Sequence, residues 1–132
     1  MNRFEGKSVI VTGAASGFGT AIAEKFAGEG AQVLVADLDL AGAEAVAARL
    51  PGAVALQVDV AEEQDNVNMA QAAVEAFGKI DVVCANAGVP HRGSYMVKMD
   101  VDALLRFWRQ DNQLKRTART GWVQRGVLRG IE

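Results

Sequence analysis

A chain of 132 residues, half of them apolar and 23% charged, is long enough for one hydrophobic core and ordinary for a soluble globular domain. A net charge of −2 gives no footprint for nucleic acid or an anionic membrane, no apolar run reaches the roughly 20 residues that span a bilayer, and Met1-Asn2-Arg3-Phe4-Glu5 lacks the apolar core of a signal peptide. The single cysteine, Cys84, excludes an internal disulfide and suits a reducing cytoplasm; its place inside an apolar run assigns it to packing rather than nucleophilic chemistry.

Strand and helix patterns alternate along the chain. Residues 7–12 read as a first strand, and Phe18, Ile22 and Phe26 then share one helical face before Gly28 and Gly30 end it. Residues 31–36 read as a second strand, closed by Asp37-Leu38-Asp39. A second helix follows, with Leu40, Ala43, Val46 and Leu50 inward and Pro51-Gly52 as its stop. Residues 53–58 form the third predicted strand, with Asp59 just beyond it. A third helix carries Val67, Ala70, Val74 and Phe77 inward, and Gly78 ends it. Residues 80–85 are nearly all apolar, which predicts a fourth, central strand covered on both faces. Such alternation predicts a parallel sheet with right-handed crossovers.

Between the first strand and first helix lies Thr12-Gly13-Ala14-Ala15-Ser16-Gly17-Phe18-Gly19. A strand, a glycine turn and a helix start in that order give the motif its meaning. Gly13 lets the chain leave the strand sharply. Gly17, without a Cβ, lets a diphosphate approach the backbone, and Gly19 lets the helix pack on the sheet. The free N–H groups and positive dipole end of the helix suit an anion. Ser16 is read either as a donor to phosphate or as the helix N-cap.

With Asp37 at the end of the second strand, Asp59 after the third and Asn86-Ala87-Gly88 after the fourth, the chain resembles the short-chain dehydrogenase/reductase family over residues 3 to about 110. The resemblance implies an α/β fold, a Rossmann-type parallel sheet of order 3-2-1-4 with helices on both faces, stopping after the fourth strand and the helix that follows. It implies an NAD-binding domain over residues 1–110 and a tail over 111–132. The family reaction is hydride transfer between nicotinamide and a secondary alcohol or ketone. The implied cofactor site is Gly13, Ser16, Gly17, Phe18, Gly19, Asp37, Leu38, Asp59, Val60, Asn86, Ala87 and Gly88. Asp37 lies 24 positions past Gly13, near the spacing of about 20 at which an acid takes ribose hydroxyls. A carboxylate there repels a 2′-phosphate, and neither Ser16 nor Leu38 is basic, so NAD is the expected cofactor. The alternative for Asp37 is a cap on the next helix. Asp59 is read as a partner of the adenine amino group, beside Val60 on the ring, or equally as a helix cap. Thr12 is expected to tie the Asn86 segment to the first turn through its side chain.

The family pattern also asks for a serine and for a tyrosine with a lysine four residues on, the pair that makes the phenol a proton carrier. The only tyrosine, Tyr95, has Lys98 at a spacing of three, in a stretch read as loop, and His91 has no metal-ligating companion. Asn112 is a weak candidate for the family's active-site asparagine. The expectation is therefore an NAD(H)-binding chain without turnover, or a non-catalytic nucleotide-binding or protein-interaction module. No substrate is named. Residues 99–108 read as a further helix with Val101, Leu104, Leu105 and Trp108 inward. Residues 111–132 carry a net +3, which leaves −5 on the first 110. That tail is read as a solvated, partly helical end, with a wrong-frame read-through and a basic nucleic-acid arm as the other readings. A bare fourth strand predicts self-association through its edge.

Overall fold

The computed structural model describes residues 2–88. Its elements alternate as β1 (Ser8–Thr12), α1 (Gly17–Gly28), β2 (Gln32–Asp37), α2 (Leu40–Ala47), β3 (Val54–Gln57), α3 (Glu63–Phe77) and β4 (Val82–Cys84). The strands form one parallel sheet in the order β3-β2-β1-β4. Ile10 is level with Leu34 of β2 and with Val83 of β4.

Strand alternation divides the core between the two faces of this sheet. Val9, Val11, Val33 and Val35 point to the face covered by α1 and α2. Ile10, Leu34 and Ala36 point to the other, against Met69, Ala70 and Ala73 of α3. All seven strand residues are fully buried, as continuous apolar strands between two helical layers must be.

The helical faces keep most of the apolar periodicity. Ile22 and Phe26 of α1, Ala43 and Val46 of α2 with Leu50 just beyond it, and Ala70, Val74 and Phe77 of α3 pack on the core, and the departures lie toward the helix starts. Phe18 is 84% exposed, and the buried residues of α1 are Gly19 and Ala23, because close approach of this helix to the first turn admits only small groups. Leu40 is exposed too, while Ala43 and Val46 are buried as expected. The helix of α2 ends at Ala47, and Arg49 and Leu50 donate to Val46 and Ala47 in tighter turns that still bring Leu50 to the core. In α3 the buried side is Asn66, Met69, Ala70 and Ala73, with Val74 and Phe77 packed at its margin and Val67 half-buried. Gly78 ends α3 in the left-handed region, φ 80°, as its sequence predicts.

At the N-terminal end of the sheet, charge pairs hold the edges. Arg3 Nη2 lies 2.8 Å from Glu29 Oε1, and its Nε donates to Oε2 at 3.2 Å. This side-chain hydrogen bond lowers the Glu29 pKa to about 2 and raises that of Arg3. Beside it Phe4 packs edge-on against Phe26, ring centroids 4.7 Å apart. Asp81 accepts the Ser8 N–H at 2.8 Å and pairs with Lys7 and Lys79. Burial pushes its carboxyl upward, but these partners outweigh burial and hold it below the usual carboxylate value.

Among the described residues β4 is the sheet's outer strand on that side, and Val82, Val83 and Cys84 are only half-buried. Burial raises the Cys84 thiol pKa, which favours the protonated, packing form. Tyr95, Lys98, His91, Asn112, the helix expected over 99–108 and the basic tail lie outside the described residues. No helix among the described residues is long and apolar enough to cross a membrane.

Candidate functional site

The C-terminal ends of the four strands open into a cleft of about 320 Å³. Its floor is the turn that leaves β1. Gly13 adopts φ 65°, and a Cβ there would come within 2.9 Å of the Ala87 Cα. Ala14 donates to the Ala36 carbonyl at 3.1 Å, so the turn is anchored on β2. Ser16 stands at the N-cap of α1 with an extended backbone, yet its hydroxyl makes no cap hydrogen bond and it faces the cleft. Gly17 follows at φ 57° with open space where a Cβ would be. Gly19 has none: a Cβ would run into the Gly13 carbonyl oxygen and stand 2.7 Å from Asn86 Nδ2. The first N–H groups of α1 have no partner within the helix and make this end an anion cradle.

Asp37 forms the next wall with Leu38. Its Oδ2 accepts the Ala15 N–H and its Oδ1 the Asp39 N–H, both at 3.0 Å. Each oxygen keeps a second acceptor site, and no Lys or Arg lines the cleft among the described residues. The cap on α2 belongs to Asp39, which accepts the Gly42 N–H at 3.0 Å. The alternative reading of Asp37 as that cap is thereby replaced.

Val58 and Val60 make the wall beyond β3. Asp59, between them, does not line the cleft; its Oδ1 accepts the Ala61 N–H at 2.9 Å, closing a turn. The N-cap of α3 is Glu62, without a side-chain cap, so Asp59 is not the helix cap. The Asp59 N–H donates to Asp65 Oδ2 at 2.9 Å.

The remaining wall is Asn86, Ala87 and Gly88. Asn86 Nδ2 donates to the Thr12 and Gly13 carbonyls at 3.2 and 3.3 Å. The Thr12 hydroxyl accepts the Ala87 N–H at 3.0 Å and donates to the Cys84 carbonyl at 3.4 Å, the tie expected of it. The structure thus gathers Gly13, Ser16, Phe18, Asp37, Leu38, Val60, Asn86, Ala87 and Gly88 around one cleft, with Gly17 and Gly19 in the helix start beneath it.

Sequence reasoning missed four contributors. Ala36 and Val58 line the cleft, and each precedes a residue that was singled out. Thr20 fixes the glycine turn through a 2.8 Å bond to the Ala14 carbonyl. Asn66, fully buried in α3, donates to the Val60 carbonyl. A polar residue three before Met69 and four before Ala70 was the signal for it.

The sequence model of the short chain dehydrogenase family matches residues 7–108. The chain belongs to this family. It is 44% identical to an L-fucose dehydrogenase of Oryctolagus cuniculus over 86 residues, which is 65% of this chain and 30% of that protein. It is 41% identical to a meso-2,3-butanediol dehydrogenase of Serratia marcescens over 96 residues, covering 71% and 38% of the two chains. Among solved structures, the 3-ketoacyl-(acyl-carrier-protein) reductase from Brucella melitensis complexed with NADH superposes with a TM-score of 0.80 at 35% identity, over 86% of this chain and 49% of that one. The chain therefore spans about a third of these curated relatives and half of this structural neighbour. Its parallel sheet and nicotinamide-cofactor fold are those of the family.

Proposed function

We propose that the cleft binds NAD(H) in preference to NADP(H), as the nucleotide-binding part of an oxidoreductase acting on a secondary alcohol or ketone. The supporting observation is Asp37: a carboxylate at the cleft, oriented by two backbone N–H groups, with no cation in the lining among the described residues. Its open acceptor sites suit the two adenosine ribose hydroxyls, and its charge opposes a 2′-phosphate. The start of α1, from Gly13 and Ser16 through Gly17, Phe18 and Gly19, faces the diphosphate. Leu38 and Val60 flank the adenosine. Asn86, Ala87 and Gly88 border the second ribose. The relatives, named as dehydrogenases and a reductase, favour hydride transfer as the chemistry supplied by the bound cofactor.

Calorimetry with NADH and NADPH on the wild type and on Asp37→Ala tests the reading. Charged hydrogen bonds are worth about 1.5–3 kcal/mol each, so NADH should bind more than about tenfold tighter than NADPH, and Asp37→Ala should erase the difference. Equal wild-type affinities would overturn it. These 132 residues hold no Tyr-x-x-x-Lys pair. The same preparation should therefore leave NADH unoxidised with a panel of ketones, since general acid–base help alone is worth about 10²–10⁴ in rate.

A further inference from the structure

The loop between β3 and α3 supplies two lining residues of the cleft, Val58 and Val60; the Val58 N–H still donates to the Asp37 carbonyl at 2.9 Å, but residues 59–62 have no strand partner. They are held from behind, by the first turns of α3. Asp65 accepts the Asp59 N–H at 2.9 Å, and the side-chain amide of Asn66 donates to the Val60 carbonyl at 2.9 Å and to Glu62 at 3.1 Å. Asn66 is fully buried, its helical neighbours Met69, Ala70 and Ala73 are apolar, and its Oδ1 has no partner among the described residues. A leucine would remove the orphaned Oδ1 but leave the buried Val60 carbonyl without a donor, so the amide is there for its Nδ2 and not for packing. What the amide adds is a donor aimed at the backbone of a cleft-lining residue.

We infer that Asn66 is a positioning residue for the nucleotide's base: it fixes the Val60 backbone so that the valine side chain forms a rigid flat wall for adenine. This rests on the reading of the cleft as a dinucleotide site. Asn66 itself touches no ligand; it acts through Val60. Ordering the loop before binding removes a conformational cost that a free loop would pay when the base docks.

The test uses AMP, the adenine-bearing half of the cofactor, with the full chain. AMP should bind Asn66→Leu about three- to tenfold more weakly than wild type, the range that one neutral hydrogen bond sets. The melting temperature of Asn66→Leu should fall, because the buried Val60 carbonyl loses its donor, so the positioning role is read from AMP affinity measured well below that temperature. Amide hydrogen exchange should quicken over residues 59–62 and stay unchanged over 70–77. In a Val60→Ala background the Asn66→Leu penalty on AMP should shrink, since the wall it aligns is missing. Should Asn66→Leu fail to fold, the wild type alone decides: AMP should slow exchange of the Asn66 side-chain amide protons. Undiminished AMP binding by a folded Asn66→Leu, or side-chain exchange indifferent to AMP, overturns the role of Asn66. Absence of AMP and NADH binding by the wild type overturns instead the reading of the cleft.

Discussion

The two ends of the sheet are built from opposite materials. At the N-terminal end, Arg3 and Glu29, Lys7, Lys79 and Asp81, and the Phe4–Phe26 pair close the molecule through long side chains that satisfy one another. At the C-terminal end the structure is made of glycine, alanine and backbone, with short side chains tying loop to loop: Asp37 to Ala15, Thr12 to Ala87, Asn86 to Gly13. Ion pairs between long flexible residues tolerate small shifts, and exposed ones contribute little. Backbone packed on backbone tolerates none. The end that holds the cleft should therefore be sensitive to single methyl groups, and the other end mainly to pH.

The largest contrast is available within α1. Gly19→Ala drives a Cβ into the Gly13 carbonyl and against Asn86, so it should cost about 3 kcal/mol and abolish cofactor binding. Gly28→Ala, on the same helix with open space around it, should instead stabilise by about 0.5 kcal/mol. Denaturant midpoints of both proteins check the pair; equal effects would show that the cleft end is no tighter than its opposite. A smaller effect is expected at Gly42, where a Cβ would press on the Asp39 carboxylate and come within 2.9 Å of the Ala15 Cβ. Gly42→Ala should cost about 1 kcal/mol and also weaken NADH, because Ala15 carries the N–H that orients Asp37. Melting and calorimetry together separate the two losses.

The smallest effect belongs to the ion-paired end. Glu29 has its carboxyl lowered from 4.5 to about 2 by Arg3, so the unfolded chain binds the proton more readily. The stability it contributes is whole above about pH 4.5 and is lost as pH falls toward about 2. Glu29→Gln should flatten that part of the acid limb in denaturant titrations at pH 6, 4 and 3, and leave NADH affinity at pH 7 unchanged. A parallel loss of NADH binding would show that the two ends are coupled.

What the sequence made legible follows the same division. Strand positions and the glycine turn were readable because apolar runs and Gly13 each answer to one backbone requirement, while the sheet order came from the family resemblance. On α1 Ile22 and Phe26 pack as predicted but Phe18 does not, since periodicity ranks Phe18 above Gly19, while the packing rewards the absence of a side chain. On α3 Ala70, Val74 and Phe77 meet the core as predicted, and what escaped is Asn66, buried for a hydrogen bond that no hydropathy pattern registers. Asp37 and Asp39 look alike as acids before a helix, and only the backbone path decides that Asp39 caps while Asp37 reaches across to Ala15.

The Ser8–Asp81 bond has a consequence in time. It joins residues 73 positions apart, and β4 is the last of the four strands to be made although it pairs with the first. At about 5–20 residues per second, a ribosome leaves β1 with one edge open for roughly 4–15 s. Over that interval β2 can dock on β1, but the carbonyls of Thr12 and Gly13 still wait for Asn86. A dinucleotide meeting the nascent chain in that interval would find the glycine turn without its final brace, which arrives only when residue 86 has emerged.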